Sequence, residues 1–128
     1  VLAYLQGEEP AASRVKDVLQ EAEDRQVTLF ISLMNVGEVY YTIGKRHGED
    51  AAEETLAELR QLSLTIIAPD ANTVLQAARL KMHYTLSYAD AFAAVTAQEL
   101  QATLMTGDPE LLALTDRIAL EALHRRPI

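Results

Sequence analysis

Three acids stand where packing alone would rarely put them: Glu38 in Asn35-Val-Gly-Glu38-Val-Tyr-Tyr, Asp90 in Ser87-Tyr-Ala-Asp90-Ala-Phe, and Asp108 in Thr106-Gly-Asp108-Pro-Glu110. Asp90 lies in an alanine-rich apolar run, where burying a bare carboxylate costs several kcal/mol unless a cation or hydrogen-bond donors offset it. Glu38 has Asn35, Tyr41 and Thr42 as helical neighbours, none of them basic. Asp108 follows a short branched strand, and the Thr106 hydroxyl at its end could orient a carboxylate or a metal-bound water. Oxygen ligands of this kind suit Mg2+ or Mn2+. Such ions activate water, orient a scissile phosphate and stabilise the leaving oxygen, so the chemistry indicated is phosphodiester hydrolysis.

Each acid also has a plainer reading. Asp90, three residues beyond Ser87, is comfortable in the first turn of a helix and could serve there alone. Asp108 before Pro109 has the form of a helix cap. Glu38 could join a surface ion pair. Glu110 is a further acid that could bond to a ligand residue or simply face solvent. The wide sequence spacing of the three acids is a weak signal; their shared place near crevice-forming ends strengthens it.

The elements that would position these acids alternate. A helix is expected over 11–25, with Val15, Val18, Leu19 and Ala22 inward. The branched run Val27–Ile31 reads as an interior parallel strand. Ser32 can cap a helix to about Lys45 with Val36, Val39, Tyr40 and Ile43 inward, stopped at Gly44 or Gly48. A helix over Ala51–Gln61 and a strand over Leu62–Ile67 come next. Asp70 caps a helix to about His83, with Val74, Leu75, Ala78 and Met82 inward. Ser87 opens the longest apolar helix, to about Leu100, before a strand over Ala102–Thr106, a short helix anchored by Leu111 and Leu112, and an edge strand at Ile118–Leu120. This alternation predicts an α/β fold with a mainly parallel sheet, whose strand ends converge on a crevice.

A chain of 128 residues without a repeat or low-complexity linker is expected to form one domain over 1–128. The net charge of -8 argues against a broad basic face for duplex nucleic acid. It leaves a nuclease open, because metal ions neutralise acids gathered around them. The absence of cysteine excludes disulfides and thiolate zinc sites, and is compatible with a reducing, cytoplasmic setting. No apolar run approaches a membrane span, so no membrane role is expected. Val1-Leu-Ala-Tyr4-Leu reads as the middle of an apolar element, and a truncated N-terminal strand is expected.

These segments resemble the PIN-domain ribonucleases, in particular the VapC-like toxins of toxin–antitoxin pairs. The likeness is most specific in Leu86-Ser-Tyr-Ala-Asp90-Ala-Phe-Ala-Ala and Leu104-Met-Thr106-Gly-Asp108-Pro-Glu-Leu111, with support from Asn35-Val-Gly-Glu38. It implies a PIN-like three-layer α/β/α sandwich and a Mg2+- or Mn2+-dependent endoribonuclease acting on single-stranded or loop regions of RNA. On that basis Glu38, Asp90 and Asp108 correspond to metal-site acids, Thr106 to the hydroxyl before the last acid, and Glu110 to a further acid. A homodimer and an antitoxin whose C-terminal arm fills the active-site groove are also implied. The family opens with an aspartate at the end of its first strand, and this sequence begins a few residues beyond that point.

Other residues are less directed. His47, His83 and His124 are too scattered for a metal triad. Arg79, Lys81 and His83 could guide RNA or form a solvated face. Tyr84 and Tyr88 are the better base-stacking candidates among the tyrosines. Apolar residues Leu2, Tyr4 and Leu5, with the 11–25 helix, could offer a partner groove. The alternative to a nuclease is a catalytically impaired binding or scaffold protein of the same fold with an incomplete acidic site. A phosphatase using a strand-end Asp-x-Asp is disfavoured, since no such motif occurs. DNA stays open as a substrate.

Overall fold

The computed structural model describes residues 11–106 and, as backbone, 120–122; the expected N-terminal strand end, the helix after Pro109 and the tail lie outside the described residues. The first helix, α1 (Ala11–Glu23), buries Val18 and half-buries Val15, Leu19 and Ala22, the face its periodicity predicts. It ends in a Schellman turn. Arg25 takes a left-handed φ of 61°, its N–H donates to the Ala22 carbonyl at 3.0 Å, and the Gln26 N–H reaches the Glu21 carbonyl at 2.8 Å.

Strand β1 (Phe30–Ser32) is shorter and later than the branched run alone predicts, because Val27 and Thr28 stay exposed ahead of it. Its last residue, buried Ser32, also caps α2 (Leu33–His47), its hydroxyl accepting from the Met34 N–H at 3.3 Å. Strand therefore turns into helix without a loop. Helix α2 buries Val36 and Val39 and stops at Gly48, whose φ of 96° disfavours any side chain. Helix α3 (Glu49–Gln61) returns along it, with Gly44 admitting the Ala52 side chain closely. The Tyr40 hydroxyl donates to Glu53 Oε1 at 2.7 Å across this pair, and that carboxylate raises the Tyr40 pKa.

Strand β2 (Thr65–Ile67) pairs parallel with β1, Ile31 opposite Ile66. Helix α4 (Ala71–His83) departs from its expected face. Thr73, Ala77 and Leu80 are buried, Ala78 is half-buried, and Leu75 and Met82 are 55% and 76% exposed. Two features set this rotation. Thr73 is drawn inward by hydrogen bonds to the Asp70 cap and to Glu99, and Ala77 lets the next helix approach.

That next helix, α5 (Tyr88–Leu100), buries Ala91, Phe92, Ala94, Val95, Thr96 and Ala97, on more sides than an amphipathic helix would. It is the central helix, packing on α4, α2, β1 and β3 (Leu104–Thr106). It ends at Gln101 in a second left-handed turn, φ 53°, with the Ala102 N–H donating to the Ala97 carbonyl at 2.9 Å. Strand β3 pairs parallel with β4 (Leu120–Ala122), Thr106 opposite Ala122, so the last strand falls later than expected.

The result is an α/β fold of parallel strand pairs flanked by helices, as the three-layer expectation requires. One apolar cluster joins Ile31, Val36, Val39 and Leu59; another joins Ala77, Leu80, Leu86, Phe92 and Val95. Among the described residues, no helix is long and apolar enough to cross a membrane.

Candidate functional site

Because Ser32 is at once strand end and helix cap, the first turns of α2 stand at the carboxyl end of β1. Asn35 is there, and Glu38 lies one turn further along the same side. Glu38 is half-buried, and among the described residues no hydrogen bond or ion pair reaches it.

Asp90 is the third residue of α5 and half-buried. Ser87 caps the helix as expected, its hydroxyl accepting from the Asp90 N–H at 3.1 Å. The residue before it, Ala89, ties this turn to α2: Asn35 Nδ2 donates to the Ala89 carbonyl at 3.2 Å. A single side chain, one turn from Glu38 and bonded to the neighbour of Asp90, thereby links the two helices that carry these acids. Thr106, half-buried, ends β3, on which α5 packs. Asp108 and Glu110 lie outside the described residues. Among the described residues, no group of three acids or histidines gathers to hold a metal ion.

The bond to Ala89 fixes the orientation of the Asn35 amide, since reversing it would set oxygen against oxygen. Its Oδ1 is then buried with no hydrogen-bond partner among the described residues. A buried acceptor without a donor costs about 1–3 kcal/mol. The side chains carried by the two helices linked here, Asn35, Glu38 and Asp90, offer oxygen ligands only, a chemistry that suits a hard divalent cation and not a thiolate-seeking metal. Sequence reasoning noticed Asn35 only as a neighbour of Glu38. The available signal was an amide one turn before an acid in an otherwise apolar strand exit.

Other candidates resolve differently. Lys81 Nζ donates to the Leu86 carbonyl at 2.7 Å, so this cation fastens the turn between α4 and α5. Arg79 and His83 are exposed. The Tyr88 ring packs on Phe92 with centroids 4.9 Å apart, yet the residue stays 42% exposed. An open depression of about 400 Å³ is lined by Arg25, Thr28, Leu29, Leu62 and Ser63, at the amino ends of β1 and β2. Those are the strand ends opposite to the one where Ser32 opens α2.

Comparison with known proteins agrees with this architecture. A toxin–antitoxin complex from Klebsiella pneumoniae contains a chain 22% identical, with a TM-score of 0.55 over 75% of this chain and 74% of that one. A chain of VapBC2 from Rickettsia felis, bound to a DNA fragment from their promoter, is 19% identical, with a TM-score of 0.70 over 95% and 91%. No curated protein matches the sequence significantly. The family model described as "PIN domain" matches residues 1–117, and the chain therefore belongs to the PIN-domain family.

Proposed function

We propose that the chain is the toxin component of a toxin–antitoxin pair and hydrolyses phosphodiester bonds in RNA with Mg2+ or Mn2+. The observation that carries this reading is the α2–α5 junction, where Asn35 links the turn holding Asp90 to the helix holding Glu38. In this reading Glu38 and Asp90 hold the ion, Asp108 completes the set, and Thr106 orients a carboxylate or a water. Glu110 assists from the same segment. The ion would supply Lewis-acid stabilisation of the phosphate and a water of lowered pKa. The toxin assignment, a cytoplasmic setting, a homodimer and an antitoxin partner rest on the family and on the likeness to toxin–antitoxin structures.

A second reading is favoured by a specific observation. Among the described residues the acids do not assemble into a group of three, and taken alone this geometry fits a catalytically impaired binding or scaffold protein better. One experiment separates the two. The purified full-length protein is incubated with structured RNA and Mn2+, Mg2+ or chelator, beside Asp90→Asn and Asp108→Asn. Metal-dependent cleavage lost in both variants establishes the nuclease. Cleavage unchanged by either variant removes these residues from the mechanism. RNA binding without cleavage, in the wild type as in the variants, establishes the impaired protein.

A further inference from the structure

We propose that the outward face of α4 is the contact through which two copies of this chain pair, antiparallel about a two-fold axis beside Gln76, with Leu75 and Met82 of one copy against Ala78 and Ala71 of the other. The inference rests on the homodimer reading above and gives it a face and a register; it is independent of the nuclease chemistry.

Helix α4 carries two apolar seams and fills only one. Thr73, Ala77 and Leu80, spaced by four and three residues, turn inward, and α5 packs against them. Ala71, Leu75, Ala78 and Met82 repeat by four, three and four, which is a heptad seam. Two residues separate the seams, about 200° around the helix, so they stand on opposite faces. On the outer one Leu75 is 55% and Met82 76% exposed, and Val74 beside them is exposed too. None of these three joins an apolar cluster of the described residues. Large apolar side chains held in register for helix packing, yet left in water, mark a contact with another molecule.

Two observations on the same helix select a second copy as the occupant. The first is size. Reversed end for end about Gln76, the seam fits itself: Leu75 meets Ala78 and Met82 meets Ala71, each large side chain opposite a small one, as a two-fold contact requires. In a parallel pair Leu75 would meet Leu75, and the alanines would face each other across a gap. The second is charge. Asp70 caps the helix start, and Lys81 and His83 are the basic residues of its last turn. An antiparallel pair sets each acidic end against the partner's basic end and opposes the helix dipoles. Exposed charges of this kind add little affinity and fix direction. Alone among the described helices, α4 holds no Asp or Glu between its first and last residues, so two chains of net charge -8 meet here without opposed carboxylates.

The test uses the full chain, which contains no cysteine. Ala71→Cys and Met82→Cys are prepared separately, then mixed and treated with a short bis-maleimide, the two positions being about 16 Å apart along one helix. Covalent dimers are expected in the mixture and not in either variant alone. Analytical sedimentation should show a wild-type dimer. Leu75→Glu and Met82→Glu, both at exposed positions, should each raise its dissociation constant about tenfold or more while the far-ultraviolet dichroism is retained. Linking within each variant alone means a parallel pair and overturns the proposal. A wild-type dimer that neither Glu variant weakens, with no linking in the mixture, puts the interface elsewhere; it overturns the inference and leaves the homodimer standing. A monomeric wild type overturns both, and the nuclease reading is still decided by RNA cleavage.

Discussion

Helix α5 is tied at each end by a polar side chain from another helix, and both ties are short of donors, yet only one is costly. At the start, Asn35 donates to the Ala89 carbonyl and leaves its own Oδ1 buried and unpartnered. At the far end, Thr73 Oγ lies 2.9 Å from Asp70 Oδ1 and 3.0 Å from each carboxylate oxygen of Glu99, three acceptor contacts for one hydroxyl hydrogen. Asp70 and Glu99 are exposed, so water supplies what Thr73 cannot. Asn35 Oδ1 is buried and has no such partner among the described residues. The same shortage is harmless where solvent enters and expensive where it does not.

The largest expected effect falls at the start of α5. Asp90→Asn should reduce RNA cleavage to the level of the chelated control, with a Tm in chelator that falls by less than the loss of a core contact would cause. The Ser87 cap is made to the Asp90 backbone and survives the change. A loss of Tm comparable to the loss of a core contact would show instead that Asp90 is a structural residue of the helix.

Thr73→Val attacks the other end. It keeps the shape of a buried side chain and removes the hydroxyl, at an expected cost of about 1 kcal/mol, because the abandoned carboxylates rehydrate and are not stranded. Chemical denaturation measures this, and Mn2+ affinity should not move. Should Thr73→Val cost several times more, the claim that solvent satisfies this end is wrong.

Which parts of this were legible in the sequence follows the same division. The caps at Ser32, Asp70 and Ser87 were readable because each is a local contact between a side chain and a backbone N–H within three residues. The parallel α/β character was readable from the alternation of strands and helices. The inward face of α4 was not. Periodicity pointed to Val74, Leu75 and Met82, but the face is chosen by Thr73 meeting Glu99, 26 residues away. Asn35 escaped for the same reason, since its partner lies 54 residues along the chain. Glu38 and Asp90 stood out as candidates because an acid in apolar surroundings is conspicuous. Whether they share an ion depends on long-range geometry that spacing does not encode, and Asp108 and Glu110 fall outside the described residues.

Gly37 sharpens the contrast at the first end. It is an exposed glycine in the interior of α2, between Asn35 and Glu38, and a Cβ added there meets nothing within 4 Å. Gly37→Ala should therefore raise stability by roughly 0.5–1 kcal/mol, read as a higher Tm. If so, the α2 side of the junction gives up stability twice, through an unpartnered oxygen and a flexible residue. A fall in Tm would mean that the open space is filled by something the described residues do not include.

The smallest effect belongs to Asp70, and it appears only in acid. The backbone N–H of Thr73 bonds the Asp70 carboxylate at 2.8 Å, the Thr73 hydroxyl adds to it, and together they hold its pKa below the usual carboxylate value. With the folded pKa depressed, the native state binds fewer protons than the unfolded chain. The contribution is therefore present above the ordinary carboxylate range and lost as pH falls through the folded value. Asp70→Asn retains an N-cap acceptor of similar quality, so Tm at neutral pH should be unchanged. Below about pH 4 the variant's melting curve should flatten relative to the wild type, because an amide has no proton to take up. Parallel acid tails for the two proteins would show that solvent, and not Thr73, sets the charge state at this end of α5.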